Sequence, residues 1–448
     1  GRPAQELSRA ARRTMLEAWS ESAPGERVPL RIAVTGHRDL DPADVAELRA
    51  TIERLCGALL ERLPGVHAEL VSGMADGADR IAAQAALAAG FRVHALLPMP
   101  LDMYLGDFDE ASRSELLAML ADPRVTRTEL ELPEGIDRET ASVPGWARDA
   151  LYVALAERLR RGASLLLAVW DGEDRGLPGG TGDTVLRFLG LVTNETARAP
   201  RRLGLQPATE DVAEGERPVF WLRARRRGSA TESTGVAGFL GITDDGDVAV
   251  VGRGFPKGLE EELETLVDYA RDAARHVDPG SHPWGLVSDD ALALRPDAES
   301  ALRLIDREYR RADLLAVHHQ QRSDRLFKAF SMMAATMGLL FLAYAKLYPG
   351  KVFLAGYLAL FIAGIGLYAI ARRRGWFSRH LMYRAIAESL RTRFYLSVAG
   401  IPSRGVEQHL MRLLGVRRIA GFSWIGHILR ATTPFELGAT SDPGRCMD

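Results

Sequence analysis

The chain has 448 residues, which exceeds the usual size of one hydrophobic core and predicts at least two structural units. The formal net charge of -2 excludes a general electrostatic attraction to nucleic acid, so no nucleic-acid partner is expected. The two cysteines, Cys56 and Cys446, lie too far apart for a disulfide framework, which favours a reducing compartment.

Residues 1–27 form a charged N-terminal extension. This stretch lacks an apolar segment of the length that a secretory signal needs. We therefore expect it to stay in the cytoplasm.

Residues 28–228 alternate apolar runs with helical stretches, which is the pattern of a parallel sheet with helices on both faces. In the first unit, RIAVTGHRDL, a strand ends in Thr35, Gly36, His37 and Arg38 and is followed by a helix over 42–62. Ligands bind at the carboxyl ends of such strands, where helix N-termini offer free N–H groups to anions. The first unit therefore supplies the first four candidate ligand-binding residues.

The second unit contains SGMADGAD between a strand and a helix. Its candidate residues are Gly73, Met74, Asp76, Gly77 and Asp79. Glycines at such a turn let the backbone approach a phosphate or a sugar closely. The two carboxylates either contact the ligand or cap the helix.

The third unit has a buried apolar strand and a glycine-rich turn that leads into another helix. Its candidate residues are Trp170, Asp171, Gly179, Gly180, Thr181 and Asp183. Three such loops at one edge of one sheet predict a site for a nucleotide-type ligand. The strand PVFWLRARR follows, and the cluster Arg223, Arg225, Arg226 and Arg227 either contacts phosphates or lipid headgroups or forms a solvated basic edge.

Residues 229–299 are interpreted as a connector with one helix, GLEEELETLVDYARDAARH. The region 300–400 contains two apolar segments, which predict transmembrane helices at about 329–348 and 351–371. The alternative is a pair of buried core helices, although such helices are seldom apolar on all faces. A long helix with an apolar stripe precedes the first segment, and we expect it to run unbroken into the bilayer.

Lys and Arg residues flank the hairpin before 329 and after 371, which predicts that both termini face the cytoplasm. No charged residue lies within 329–345 or 352–371, so a proton relay inside one protomer is not expected. Small residues recur four positions apart, which either promotes helix association or reflects their general frequency in membrane spans. They are Ala334 with Gly338, and Ala355, Ala359 and Ala363.

The tail over 401–448 includes VRRIAGFSWIGHILR. This apolar and basic stretch predicts either a helix at the membrane surface or a helix packed on a domain.

The ordered motifs TGHR, SGMADGAD, AVWDG and PGGTGD resemble the SLOG superfamily of Rossmann-like nucleotide-binding domains over 28–228. That superfamily also contains the LOG phosphoribohydrolases and DprA-like proteins. The segments RRADLLAVHHQQRSDRLFKA and YRAIAESLRTRFYLSVAG, with the apolar pair between them, resemble the SLATT family of two-transmembrane effectors over 300–400. The resemblance implies a Rossmann-like α/β domain followed by an all-α membrane domain.

This pairing is similar to components of bacterial antiphage systems. The resemblance implies that the SLOG-like domain senses a nucleotide-derived second messenger made by a separate enzyme. It also implies that the membrane domain oligomerises with copies of itself and permeabilises the bacterial inner membrane. The expected partners are therefore the messenger, the lipid bilayer and a homo-oligomer, with no cofactor and no metal.

LOG enzymes carry the motif PGGxGTxxE, whose Glu assists cleavage of the glycosidic bond. Here PGGTGDTVLRF places Val185 and Leu186 where acids are expected, so a general acid or base is missing from that position and no catalytic residue is predicted. Asp183 is a candidate substitute or simply favours the helix N-terminus. Two alternatives therefore stay open, a membrane-tethered nucleotide phosphoribohydrolase and a scaffold that binds nothing.

Overall fold

The computed structural model describes residues 29–191, 201–202, 213–229, 237–242, 247–277, 285–400, 423–433 and 435. The predicted N-terminal extension over 1–27 and most of the predicted tail over 401–448 lie outside this part of the chain.

The first part of the fold is an eight-stranded sheet, accompanied by a separate pair of two-residue strands. The strands are β1 (Pro29–Gly36), β2 (His67–Ser72), β3 (Arg92–Leu97), β4 (Val125–Glu129), β5 (Leu165–Trp170), β6 (Glu173–Asp174), β7 (Arg201–Arg202), β8 (Ala213–Arg223), β9 (Ala237–Ile242) and β10 (Val248–Gly252). The order in the large sheet is β10-β9-β8-β5-β1-β2-β3-β4, and β6 pairs with β7. All neighbours from β8 to β4 are parallel, which confirms the predicted α/β sheet.

Strand β1 lies inside the sheet because the chain builds outward from it in both directions. Strands β2, β3 and β4 follow on one side, whereas β5 and β8 lie on the other. All six residues of β5, LLLAVW, are buried, as expected for a parallel strand covered on both faces. The reversal of strand order between β1 and β5 opens the crevice in which open α/β sheets bind ligands.

Helices cover the sheet and then form the second half of the chain. They are α1 (Pro42–Arg62), α2 (Ala78–Ala89), α3 (Leu101–Tyr104), α4 (Glu110–Leu120), α5 (Arg138–Ser142), α6 (Trp146–Gly162), α7 (Thr181–Leu189), α8 (Lys257–His276), α9 (Asp289–Leu294), α10 (Glu299–Leu342), α11 (Lys351–Arg373), α12 (Trp376–Val398) and α13 (Ile425–Ala431). Helix α1 begins where the sequence predicts, because the Asp41 side chain caps it by accepting from the Ala43 N–H and Pro42 opens its first turn.

The sheet continues beyond residue 228, where the sequence predicts a connector with one helix. Strands β9 and β10 extend it in antiparallel fashion, and α9 follows α8. Both strands are short apolar runs, AGFLGI and VAVVG, and runs of this length carry too little periodicity to be assigned from sequence.

Helix α10 is a single helix of 44 residues. One face of its first half is buried, and Leu302 and Ile305 on that face belong to the same hydrophobic core as the sheet residues Ile32 and Leu70. After Ser323 the helix leaves this core and becomes exposed. The prediction of one unbroken helix from the α/β part into the apolar segment is therefore confirmed as far as residue 342.

The apolar segments of α10 and α11 are long and apolar enough to cross a membrane, and neither is buried within the molecule. This exposure is incompatible with the alternative of a buried core pair. A π-helical segment, Ala343–Leu347, and the turn around Gly350 join the two helices.

The two apolar helices pack through one face each. A Cβ on Gly356 would lie 3.3 Å from Leu340 Cδ1, and one on Gly364 would lie 3.3 Å from Met333 Cε, so these glycines face the neighbouring helix. The small residues that the sequence predicts as association positions are exposed and face away from this contact. They are Ala334, Gly338, Ala355, Ala359 and Ala363.

Helix α13 lies in the tail and packs against β1, α6 and α12. Ile425, Ile428 and Leu429 are fully buried, and Arg31 of β1 donates to the carbonyl oxygen of Thr433 at 3.1 Å. Of the two interpretations of this stretch, the described part from 423 to 433 therefore agrees with a packed domain helix.

Candidate functional site

The loops that follow β1 and β5 meet at the switch point of the sheet. The His37 N–H donates to the Val169 carbonyl oxygen at 3.1 Å, and the Asp171 N–H donates to His37 Nε2 at 3.1 Å. Burial acts to raise the pKa of Asp171, but the contacts with His37, the Glu173 N–H and Arg226 hold it below its usual value. The crevice between β1 and β5 is thus closed by protein contacts, and His37 itself is buried.

The loop after β2 packs directly on the loop after β1. The Ala78 N–H donates to the His37 carbonyl oxygen at 3.0 Å. Gly77 has a φ of 75°, and a Cβ there would lie 2.4 Å from the Arg38 carbonyl oxygen. The same crowding occurs at Gly36, where a Cβ would lie 2.4 Å from Ala78 Cβ. These two glycines are therefore required for the close packing of the two loops on each other.

Asp76 and Asp79 do not cap helix α2. Asp76 pairs with Arg80 at 2.9 Å, whereas Asp79 Oδ2 accepts from the Ala75 N–H at 3.3 Å. The helix begins after Gly77 without a side-chain cap. Burial raises the pKa of Asp79 to about 7, although the Ala75 N–H and the charges of Arg38 and Arg80 oppose this shift.

Arg80 is a residue of this site that the sequence did not predict. It is 2% exposed and donates through Nε to the Met74 carbonyl oxygen at 3.1 Å, while its Nη1 reaches Glu115 at 3.1 Å. Met74 has a positive φ of 57°, which is unusual for a residue other than glycine, and its side chain is fully buried. Arg80 therefore fixes the strained turn and draws Asp76 away from the helix terminus.

A second group of residues stands over the strand ends and comes from the segment between β3 and β5. Arg38 donates to the Tyr152 hydroxyl at 2.9 Å, and that hydroxyl donates to Asp107 Oδ2 at 2.8 Å. Arg148 also pairs with Asp107. Burial acts to lower the pKa of Arg38, but Tyr152 and the other nearby hydroxyl and carboxyl groups raise it above its usual value. Arg38 is therefore a permanent cation at the exposed rim of the site.

Tyr104 connects this group to the second loop. Its hydroxyl donates to the Gly73 carbonyl oxygen at 2.9 Å, and its ring is fully buried. Tyr104, Asp107, Arg148 and Tyr152 are scattered over some fifty positions and carry no motif, so only the fold brings them to Arg38.

The glycine-rich turn after β5 has mainly a packing role. Gly179 has a φ of 69°, and a Cβ there would lie 2.6 Å from the Val153 backbone nitrogen. Asp183 Oδ2 accepts from the Gly179 N–H at 3.0 Å and from Arg187 Nε at 2.7 Å, and its side chain is buried. These partners hold the turn together and leave Asp183 poorly placed to act as an acid or base on a ligand.

The remaining predicted residues of the third unit differ in accessibility. Trp170 is fully buried and donates through Nε1 to the Glu173 carbonyl oxygen at 3.1 Å, so its side chain belongs to the core. Gly180 and Thr181 are half-buried at the start of α7. Thr35 is half-buried at the end of β1.

The chemistry of this edge favours an anion. Helices α2 and α7 both begin here, so the positive ends of their dipoles and the Arg38 guanidinium lie at this edge. Within the described ranges, no group of three or more His, Cys, Asp or Glu side chains is arranged to hold a metal ion.

A cavity of about 330 Å³ lies beside this edge rather than in it. It is enclosed by α1, the end of β8 and the start of β9. Arg54, Arg223 and Arg253 line it together with Phe220 and Phe255. We assign the candidate site to the strand ends because the buried Asp79 and the Arg38–Tyr152–Asp107 chain lie there.

Comparisons of the chain with protein-family models, curated proteins and solved structures found no match.

Proposed function

We propose that this protein is a ligand-gated membrane effector, in which the α/β part senses a nucleotide-derived messenger and the two apolar helices act on the bilayer. The observation that carries the proposal is the continuity of helix α10. One helix begins in the hydrophobic core of the sheet and ends in an exposed apolar segment. A change in how α8 and α12 pack on α10 therefore has a direct mechanical route to the apolar hairpin, and α13 links these helices to the sheet by contacting both β1 and α12.

The ligand class follows from the charges at the strand ends. The Arg38 guanidinium lies at the rim of this edge, where helices α2 and α7 also begin. A phosphate group bound at this edge would pair with Arg38, and a sugar or base would then lie against Tyr152. These features support a nucleotide-type messenger and, with the motifs quoted above, a Rossmann-like domain of the SLOG type. The messenger itself would come from a separate enzyme.

The bilayer is the environment that the exposed apolar helices require. An exposed apolar surface of this length is unstable in water, whereas it matches the hydrocarbon core of a membrane, which takes about 20 helical residues. The flanking arginines and lysines favour an orientation with both ends of the hairpin on the cytoplasmic side, and the resemblance to SLATT-type domains implies a bacterial inner membrane. This arrangement supports a domain of the SLATT type.

Two helices from one chain cannot enclose a pore, so the proposal requires a homo-oligomer. The outward position of Ala334, Gly338, Ala355, Ala359 and Ala363 leaves these small residues available to a second copy. A ligand drives such assembly only if it binds the assembled state more tightly than the resting state.

The proposal can be tested with the full-length protein in liposomes that contain a self-quenched dye. Nucleotides and cyclic oligonucleotides are first screened for a shift in the melting temperature of the protein. Each nucleotide that binds is then added to the liposomes, and dye release is expected. Binding without release at saturating ligand would contradict the proposal.

Two variants sharpen this experiment. Arg38→Gln removes the cation at the rim and should weaken nucleotide binding about tenfold or more, because a hydrogen bond to a charged group contributes about 1.5–3 kcal/mol. The matched control is Arg127→Gln, which removes an exposed arginine from the far edge of the sheet and should bind as the wild type does.

A membrane-tethered nucleotide phosphoribohydrolase is the second candidate. One observation favours it, because a buried carboxyl group with a pKa of about 7, as at Asp79, is suited to general acid–base catalysis. Incubation with each bound nucleotide and chromatography of the products separates the two functions. A sensor returns its ligand unchanged, whereas the hydrolase releases free base and loses this activity in Asp79→Asn.

A further inference from the structure

The cations of α10 and α12 change character where the helices leave the hydrophobic core. Closer to the sheet, several arginines of both helices are ion-paired. Arg310 binds Asp306 at 2.8 Å, and Arg384 binds Asp313 at 2.7 Å. In α10 this pairing stops at position 322, and within the described residues no ion pair holds Arg372, Arg373 or Arg374 at the end of α11.

The unpaired cations form what we call the cationic belt. Its members are Arg322, Arg325, Lys328, Arg372, Arg373 and Arg374. Within the described part of the chain, none of their side chains has a hydrogen bond or an ion pair, whereas the arginines nearer the sheet are held by carboxylates. One carboxylate, Asp324, accompanies these six cations, which leaves a net charge of +5.

Ring contacts show that the two parts of the belt lie at the same level. Arg322 lies over the Trp376 ring at 5.9 Å, and the rings of Phe327 and Phe377 meet edge to face at 6.4 Å. Phe327 and Phe377 are each 57% exposed. Exposed aromatic rings beside unpaired cations, directly below a long apolar segment, are typical of the interface between headgroups and acyl chains.

The opposite end of the hairpin differs in charge. Only Lys346 and Lys351 lie there, beside the exposed Tyr348. The positive charge is therefore concentrated at one end of the hairpin, where it exceeds what anchoring the two helices needs.

We propose that the cationic belt is a binding surface for anionic phospholipids, with their phosphate groups on the guanidinium groups and their glycerol region against Trp376 and Phe377. This inference rests on the part of the proposed function that inserts the hairpin into a bilayer. The partner is a lipid headgroup because the charges adjoin an apolar surface, which a soluble phosphate compound would leave uncovered. The cationic belt therefore gives the protein a preference for a membrane leaflet that contains anionic phospholipids.

The test uses the full-length protein in two preparations of phosphatidylcholine liposomes. One contains phosphatidylcholine that is brominated near the headgroup, and the other contains the same fraction of phosphatidylglycerol that is brominated near the headgroup. Bromine quenches tryptophan only at short range, and Trp376 lies beside the belt, under Arg322. Wild-type fluorescence should be quenched at least twofold more by the brominated phosphatidylglycerol. The triple variant R372Q/R373Q/R374Q should bring this ratio close to one.

The matched control is R54Q/R127Q/R138Q, which removes the same charge from exposed positions of the α/β part and should keep the wild-type ratio. Equal quenching by both lipids in the wild type, or an equal loss in both triple variants, would overturn the inference. Flotation of the liposomes after an alkaline wash tests separately whether the hairpin is inserted into the membrane. If the protein leaves the liposomes in every composition, the membrane insertion in the proposed function is wrong rather than the lipid preference.

Discussion

Arg379 of α12 donates a hydrogen bond to Asp272 of α8 at 2.7 Å. The same carboxylate accepts from the Tyr383 hydroxyl at 2.7 Å and lies 3.4 Å from His319 Nε2 of α10. Burial acts to raise the pKa of Asp272, but its contacts with His319 and Tyr383 and the charge of Arg379 hold it below the usual range. One buried carboxylate thus ties together the three helices that connect the α/β part to the hairpin.

Removing this carboxylate should loosen the connection. We expect Asp272→Asn to lower the free energy of unfolding by about 3 kcal/mol, because it removes the buried charge that Arg379, Tyr383 and His319 share. Asp268→Asn is the control, since Asp268 also binds Arg379 but is 39% exposed, and surface pairs contribute less than about 1 kcal/mol. Denaturant unfolding of the detergent-solubilised proteins measures both. Equal effects of the two substitutions would show that Asp272 has no special role.

The same connection should weaken in acid. The His318 ring stacks on His276 at 4.3 Å, and burial with the nearby charges of Arg322 and the neighbouring histidines lowers the pKa of His318 to about 4. An unfolded histidine has a pKa of about 6.5. Between these values the unfolded chain binds a proton that the folded chain does not bind. The stability is therefore present above pH 6.5 and is lost as the pH falls towards 4.

His318→Gln removes this titration. We expect the variant to lose less stability than the wild type between pH 7 and pH 4.5, as measured by thermal unfolding at half-unit intervals. Parallel curves for the two proteins would mean that His318 does not contribute to the acid sensitivity.

Asp79 has the opposite dependence on pH. Its folded-state pKa of about 7 lies above the unfolded value, so the folded protein retains a proton that the unfolded chain releases. Stability from this group is present below about pH 4 and is lost as the pH rises to about 7. At pH 8, Asp79→Asn should therefore be more stable than the wild type, by up to about 4 kcal/mol, since each unit of pKa shift corresponds to about 1.4 kcal/mol. The difference should shrink at pH 5, and a difference independent of pH would contradict the assignment.

Gly36 should be intolerant of a side chain for reasons of packing. Gly36→Ala places a Cβ 2.5 Å from the Val169 carbonyl oxygen, and such overpacking costs about 1–3 kcal/mol. Gly57→Ala is the control, because Gly57 lies inside α1 with nothing within 4 Å of the new Cβ and should gain about 0.5–1 kcal/mol. Melting temperatures should therefore move in opposite directions, and two similar decreases would contradict this view of Gly36.

The parts of the fold that the sequence predicts correctly are those with long or strongly patterned segments. The alternation over 28–228 predicts the parallel sheet, and the apolar stretches predict two exposed helices. Strands β9 and β10 escape prediction because five or six apolar residues are compatible with several structures. Their place in the sheet depends on pairing with β8, a contact that local sequence does not encode.

The candidate site is predictable only where its residues follow strands directly. Thr35, Gly36, His37, Arg38 and the SGMADGAD loop do meet at one edge. The role of each residue is less predictable, because Trp170 and Asp183 carry the same motif signal as exposed site residues and yet are buried. Tertiary packing brings four further residues to Arg38, namely Tyr104, Asp107, Arg148 and Tyr152. No local sequence pattern predicts them.

The central claim is that the two apolar helices cross a bilayer with both ends on one side, and cysteine accessibility tests it most directly. In a chain with Cys56→Ala and Cys446→Ser, single cysteines replace Arg325, Tyr348 and Arg374 in turn, in sealed vesicles of known orientation. A membrane-impermeant maleimide should label position 348 from one side and positions 325 and 374 only from the other. Labelling of all three positions from the same side would contradict the claim.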